Sequence, residues 1–151
     1  MKIEDFKKQK RGPYLFDWFR HPNTINSRLG VFSLELTVEM DKVPNQAMAD
    51  AMEKLIGKFE KNKDMIAQMV FKEYLTIAKA EPDWLESCEV PLNLSIDDLA
   101  PFIKAQALTV SDDVDDAEDR HHPRVYMSPQ WDEEHGFYLQ FEGDHIERVD
   151  C

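Results

Sequence analysis

The sequence predicts an α+β fold, an antiparallel sheet with a central helical block packed on one face. Apolar residues alternate with other residues near the beginning of the chain, recur at helical spacing in its middle, and alternate again near its end. Antiparallel strands on both sides of a helical block are typical of domains whose helices cover one face of a sheet. The length of 151 residues favours one domain.

The first part of the chain has the pattern of two strands. Residues 14–19 are rich in aromatic side chains and lie between Pro13 and Pro22, which predicts a strand that ends before Pro22. Residues 31–39 alternate, and period-two spacing predicts a strand with one buried face. The residues expected on that face are Phe32, Leu34, Leu36 and Val38.

The middle of the chain has the pattern of helices. The apolar spacing becomes helical after Pro44, so a first helix is expected to begin at Pro44 or Asn45. A break is expected at residues 62–64, followed by a second helix. The apolar stripes of the two helices contain Met48, Met52, Leu55, Ile56, Phe59, Ile66, Met69, Val70, Tyr74 and Ile77.

The last third returns to strands after a short helix. Ser95 and Asp98 have the spacing of a capping box, which predicts a third helix, and a nearby proline makes that helix short or irregular. Gly143 follows one alternating segment and begins a two-residue turn, the pattern of a type II′ hairpin. Strands are expected at residues 107–110, 124–128, 137–142 and 146–149.

Charge is distributed unevenly along the chain, and the net charge limits the classes of partner that the chain can bind. Residues 1–13 carry five basic and two acidic side chains and are expected to form a flexible segment, whereas residues 14–151 form the single α+β domain. The whole chain has a formal charge of −12. This charge disfavours nucleic acid as a partner, because phosphate contacts need clustered Lys and Arg. It permits a basic protein as the partner.

Cysteine usage and hydropathy predict a cytoplasmic protein. Cys88 and Cys151 are far apart and form no disulfide framework, which suits a reducing compartment. Residues 1–30 contain no apolar segment typical of a secretory signal. The chain also has no run of about 18 apolar residues that could span a membrane.

Titratable residues are most concentrated directly before the alternating segment 137–142, in Trp131, Asp132, Glu133, Glu134, His135 and Gly136. As a structural corner, Gly136 supplies a backbone angle that other residues avoid, and Trp131 buries its ring and donates its N–H to a backbone carbonyl. Asp132 accepts backbone N–H groups, and a carboxylate holds His135. The alternative makes Glu133, Glu134 and His135 a contact patch or an acid–base group. On an extended strand only one of the last two would face a cleft.

Metal, cofactor and nucleophile patterns are weak. His121, His122, His135 and His145 lie among carboxylates, but no pair has the spacing of a zinc site. Cys88 is flanked by acidic residues that oppose a thiolate. No glycine pattern of a nucleotide or dinucleotide site occurs. We therefore expect no metal, no cofactor and no catalytic residue, and an enzyme is less favoured than a binding protein.

The end of the chain resembles bacterial domain families of uncharacterised function. The residues that carry the resemblance are Val125-Tyr126-Met127, the Trp-Asp-Glu-Glu-His-Gly motif at 131–136, and residues 137–142. Some members of such families are immunity proteins encoded beside secreted toxins, so the resemblance implies an inhibitor that binds a toxin.

The first hypothesis is therefore a non-enzymatic acidic module that binds a basic protein, such as a toxin inhibited by an immunity-type protein. Its contact patch is expected at Asp112, Asp113, Asp115, Asp116, Glu118, Asp119, Glu133 and Glu134. The second hypothesis is a metal-assisted hydrolase that uses the C-terminal His/Glu cluster: His122, Glu134 and His135, with His145 as an accessory residue. The third is a structural domain that dimerises through its methionine-rich helix faces.

Overall fold

The computed structural model describes residues 1–9, 16–112, 123–143 and 145–150. Its described strands form one seven-stranded sheet whose spatial order is the order along the chain. The strands are β1 (Lys7–Lys8), β2 (Phe16–Ser27), β3 (Gly30–Glu39), β4 (Ile103–Ser111), β5 (Arg124–Pro129), β6 (Phe137–Glu142) and β7 (His145–Asp150). The helices are α1 (Gln46–Ala80) and α2 (Pro82–Ser87), and short 3₁₀ turns lie at Ile3–Asp5, Ile96–Asp98, Ala100–Phe102 and Gln130–Asp132.

The predicted α+β class is confirmed, with one correction to the sheet. Five of the six neighbouring strand pairs are antiparallel, but β3 and β4 are parallel. Parallel strands need a long crossover connection, and the chain between β3 and β4 contains both α helices. The sheet is therefore mostly antiparallel and mixed, not antiparallel throughout.

The prediction that the first aromatic strand ends before Pro22 is wrong. Strand β2 runs from Phe16 to Ser27 and passes through this proline. The pairing with β3 shifts register between Arg20 and Thr24, so Pro22 lies within an irregularity of the ladder. A proline has no N–H to donate, and a bulge is one of the few strand positions that tolerates it.

Helix α1 begins as predicted but contains no break. Asn45 caps it, because the Asn45 Oδ1 atom accepts a hydrogen bond of 3.0 Å from the backbone N–H of Met48. The helix then continues through residues 62–64 to Ala80. Asn62 remains compatible with the helix because its side-chain amide donates to the Lys58 carbonyl one turn earlier, at 2.8 Å.

The buried side chains of the strands and of α1 belong to one core. Phe32, Leu34, Leu36 and Val38 are all buried, which confirms the single buried face predicted for β3. The rings of Phe32 and Phe59 lie 4.8 Å apart and connect β3 to α1. Met48 and Met52 are completely buried in the same core, so neither is available to a dimer interface.

A buried tyrosine fixes the connection that follows α2. The Tyr74 hydroxyl donates to the Pro91 carbonyl and accepts a 3.0 Å hydrogen bond from the Leu94 N–H. Ser95 then forms the predicted capping box with Asp98, whose carboxylate accepts from the Ser95 N–H at 3.1 Å and from its hydroxyl at 2.7 Å. The third helix is a single 3₁₀ turn, as short as the sequence predicts.

The two ends of the described chain extend the sheet. Phe6 is buried and Lys7 and Lys8 pair with β2, so this part of the basic N-terminal segment is attached to the sheet. The predicted domain division at residue 13 lies outside the described residues and stays a prediction. The predicted C-terminal hairpin is formed by β6 and β7 around Gly143.

Among the described residues, no helix has both the length and the apolar character needed to cross a bilayer.

Candidate functional site

The side chains that alternate with the buried ones form the second face of the sheet, which we call the outer face. The strand register aligns a polar row on it across five strands: Arg20, Glu35, Thr109, Arg124 and Gln140. Residues two positions away along each strand face the same side of the sheet. They form one neighbouring row of Trp18, Thr37 and Ser111, and another of Ala107, Tyr126 and Tyr138. Large aromatic side chains therefore flank charged groups on this face.

The outer face contains a cavity of about 680 Å³. This volume lies within the roughly 300–1,000 Å³ that is typical of ligand pockets. A second cavity of about 380 Å³ shares Glu35 and Tyr126 with it, so the two adjoin on the same face. The larger cavity is lined by Phe16, Trp18, Glu35, Thr37, Thr109, Ser111, Asp112, Arg124, Tyr126, Glu134, His135 and Tyr138.

Glu35 lies where the two cavities meet and is held in place by its neighbours. Its Oε1 atom accepts from Arg20 Nε at 3.2 Å, from Arg20 Nη2 at 2.6 Å, and from the Ser33 hydroxyl at 3.1 Å. All the hydrogen bonds that the described residues donate to this carboxylate fall on Oε1. The side chain is 20% exposed. The carboxylate is therefore fixed through Oε1, and Oε2 accepts no hydrogen bond from the described residues.

Arg124 and two tyrosines form the wall of the cavity on β5 and β6. Arg124 Nε donates to the Gln140 side-chain oxygen at 2.7 Å, and its guanidinium carbon lies 5.2 Å from the centre of the Tyr138 ring. The Tyr126 and Tyr138 rings are 5.2 Å apart. This wall holds a guanidinium against an aromatic ring, a favourable cation–π arrangement.

Carboxylates increase the negative potential at the edge of the cavity. The pKa of the Lys42 ammonium is raised because it donates a hydrogen bond to Glu39, and the charges of Glu39 and Asp112 add to the effect. The backbone N–H of Asp112 donates to the Thr37 carbonyl at 3.1 Å, which fixes Asp112 directly after the end of β4. Lys42 therefore stays protonated beside Glu39 and offsets part of the negative charge at this edge.

Gly136 gives the corner at residues 131–136 its shape. Its φ angle is +68°, the left-handed conformation that the sequence predicts for it. A Cβ atom here would lie 2.6 Å from the Met127 carbonyl oxygen and 2.9 Å from the Tyr126 hydroxyl oxygen. The Gly136 N–H donates to the Asp132 carbonyl at 2.9 Å and closes the turn. The backbone of the corner consequently packs directly against a tyrosine of the cavity wall.

Trp131 is buried as predicted, but its N–H is not used as predicted. The ring packs 5.8 Å from the Tyr74 ring, and the Nε1 atom has no hydrogen-bond partner in the described part of the chain. A different tryptophan makes the expected bond, because Trp84 Nε1 donates to the Trp131 carbonyl at 3.1 Å. Trp131 thus links the corner to α1 through packing, and to α2 through its backbone.

Glu134 and His135 both line the larger cavity, although an extended strand would have separated them. Residues 133–135 form a turn after the 3₁₀ segment Gln130–Asp132, so neighbouring side chains need not alternate. The His135 side chain is 68% exposed, and its Nδ1 atom is 3.9 Å from Asp132 Oδ1. That separation exceeds a hydrogen bond, so the carboxylate does not lock the imidazole.

The predicted contact patch is partly described. Asp112 and Glu134 line the cavity, while Glu133 is exposed on the corner beside them. The remaining predicted residues, Asp113, Asp115, Asp116, Glu118 and Asp119, lie outside the described residues, as do His121 and His122. His145 is exposed at the start of β7. The described members of the histidine group, together with the rest of the described chain, form no cluster of three or more metal-binding side chains.

Sequence reasoning missed Trp18, Glu35, Arg124, Tyr126 and Tyr138 as site residues. The three aromatic residues gave a signal, because each alternates with buried residues at a position that ordinarily carries a small or polar side chain, whereas Glu35 and Arg124 gave none. Three aromatic residues at such positions on different strands make the outer face the candidate site.

Comparison with known proteins supplies a family but no function. A family model described as a domain of unknown function (DUF6985) matches residues 5–150. No curated protein matches the chain, and no solved structure does.

Proposed function

We propose that this chain, which belongs to the DUF6985 family of domains of unknown function, is a non-enzymatic module that binds a basic protein on its outer face. In this proposal α1 closes one face of the sheet, and the outer face receives the partner. We extend the proposal to a cytoplasmic, bacterial immunity-type inhibitor whose partner is a toxin. The Trp-Asp-Glu-Glu-His-Gly motif at 131–136 supports that extension, because it resembles bacterial domain families that include immunity proteins.

The observation that carries the proposal is the composition of the larger cavity. Its lining contains four aromatic residues and an arginine, the side chains in which binding energy is concentrated at protein interfaces. Phe16 at its edge is 47% exposed, a high value for a phenylalanine on a strand. Removing such rings from water on binding would provide most of the affinity.

Charge supports the choice of a basic partner. The chain carries 30 acidic and 18 basic residues, and the cavity lining carries the carboxylates Glu35, Asp112 and Glu134. Complementary charge accelerates association by about 10- to 1,000-fold, and salt reduces this acceleration. Electrostatics would therefore set the rate of encounter, while the aromatic groups would set the lifetime of the complex.

The test is the binding kinetics of the purified chain and the purified basic protein encoded by its neighbouring gene, at low and at moderate salt. Asp112→Asn and Glu134→Gln should each slow association by about two- to tenfold at low salt, with little change in dissociation. Glu86→Gln on α2 is the matched control, because it removes an exposed carboxylate from a residue outside the cavity lining.

Two results would remove the proposal. One is the absence of binding at low salt to the basic product of the neighbouring gene. The other is binding whose association rate falls equally in the Glu86 control and in the two cavity variants, because net charge alone would then explain the effect.

A further inference from the structure

We infer that the larger cavity receives an arginine side chain of the basic partner, which places a guanidinium between the Glu35 carboxylate and the aromatic wall. This inference rests on the proposed function and specifies the chemistry that the outer face recognises. Three carboxylates and one guanidinium line the cavity, and Arg20 adds a second positive charge through its ion pair with Glu35, which leaves a formal excess of one negative charge. A cationic group would neutralise this excess.

Glu35 is prepared to accept such a group. Arg20 and Ser33 hold its Oε1 atom, and the described residues donate no hydrogen bond to Oε2. Because the carboxylate is already oriented, the Glu35 side chain loses little conformational entropy when a ligand binds to it. Arg20 lines the smaller cavity and occupies Oε1, so a guanidinium of the partner would bind to Oε2.

The spacing of the strands leaves room for the ligand. Glu35 and Arg124 occupy the same cross-strand row with Thr109 between them, so their Cα atoms are two strand spacings, roughly 10 Å, apart. Thr109 is small and lies at the centre of the row. Arg124 itself is directed towards Gln140 and Tyr138 on β6, away from Glu35.

The aromatic lining favours arginine over lysine. A guanidinium is planar, stacks on aromatic rings, and presents paired N–H donors to a carboxylate. Trp18, Tyr126 and Tyr138 provide ring surfaces on both sides of the polar row. An ammonium is strongly hydrated and lacks the flat surface that these rings would contact.

The experiment titrates the full chain with three small probes: Nα-acetyl-arginine methylamide, its neutral citrulline analogue, and the corresponding lysine derivative. Binding is followed by NMR through the three tryptophan indole N–H signals. The arginine probe should shift the Trp18 signal in a saturable manner and bind about tenfold or more tightly than the citrulline probe, since a charge-assisted hydrogen bond contributes at least that much. The signal of buried Trp131 should not move.

A pair of variants on β3 identifies the carboxylate. Glu35→Gln should weaken arginine binding by about tenfold. Glu39→Gln should change it less than twofold, because Glu39 lies outside the cavity lining and bonds to Lys42. A thermal melt of both variants verifies that they are folded.

Equal binding of the arginine and citrulline probes, or equal loss in the two variants, would overturn the inference. Equal binding of the lysine probe would overturn the choice of arginine. These failures are distinct from failure of the proposed function. If the basic partner still binds and still depends on Asp112 and Glu134 while the arginine probe is inactive, only the arginine site is refuted.

Discussion

Replacing Gly136 by alanine tests how the corner is built. Gly136 has a φ of +68°, and a Cβ atom there would meet the Met127 carbonyl oxygen at 2.6 Å. Both effects destabilise the folded state, the first through backbone strain and the second through steric overlap. The oxygen belongs to the backbone of β5, so the overlap cannot be relieved by moving a flexible side chain.

The two contributions can be separated within the same chain. Left-handed backbone costs an alanine about 1–2 kcal/mol, and overpacking adds about 1–3 kcal/mol. Gly136→Ala should therefore lower the free energy of unfolding by about 2–5 kcal/mol. Gly143 has a φ of +63° and open space around it, so Gly143→Ala should cost only about 1–2 kcal/mol.

A third glycine provides a control of opposite sign. Gly57 lies inside α1 with nothing within 4 Å of an added Cβ, so Gly57→Ala should stabilise the protein by about 0.5–1 kcal/mol. Urea unfolding, with the slope m compared among variants, gives the three free energies. A loss at Gly136 no larger than that at Gly143 would refute the steric argument and leave only backbone strain.

Three further predictions concern the fold. Tyr74→Phe should cost about 1–3 kcal/mol in urea unfolding, because it leaves two backbone groups near residues 91–94 without their partner; an unchanged midpoint would contradict this role. Asn45→Ala should cost about 0.5–2 kcal/mol through loss of the α1 cap, and Asn45→Asp should retain most of it. The hydrogen bond from the Ser95 hydroxyl, followed by that from its backbone N–H, lowers the pKa of Asp98 below its ordinary value. Because the folded-state pKa is depressed, Asp98 contributes stability that is present above its unfolded pKa and is lost as pH falls through its folded pKa. Ser95→Ala should raise the Asp98 pKa in a carboxyl NMR titration and make stability less sensitive to pH below about 4, and an unchanged titration would contradict the capping box.

Local patterns predicted much of the fold. The alternation at residues 31–39 located β3 to within one residue, and Asn45 identified the start of α1, because burial period and capping are properties of neighbouring residues. The prediction of a break at residues 62–64 was wrong. Three polar residues in a row do not end a helix whose preceding and following turns both bury side chains. The parallel pairing of β3 and β4 depends on partners about 70 residues apart, which local spacing does not encode.

The site was harder to predict than the fold. Sequence reasoning followed titratable residues that are adjacent in the chain, so it found Glu134 and Asp112 but not the ring and guanidinium groups beside them. Trp18, Glu35 and Tyr138 lie on three different strands, and only the sheet register brings them to one cavity. The sequence predicts a structural corner at 131–136, and the turn within it brings both Glu134 and His135 to the cavity, which an extended strand would not do.

The decisive measurement for binding at the outer face is the dissociation constant of the complex with the basic partner after Phe16→Ala and after Leu75→Ala. Both side chains are 47% exposed, but Phe16 lines the cavity and Leu75 lies on α1. Loss of a buried aromatic contact should weaken binding by about 30-fold in the first variant, with a change of less than about twofold in the second. Equal affinities of the two variants would show that the partner binds elsewhere.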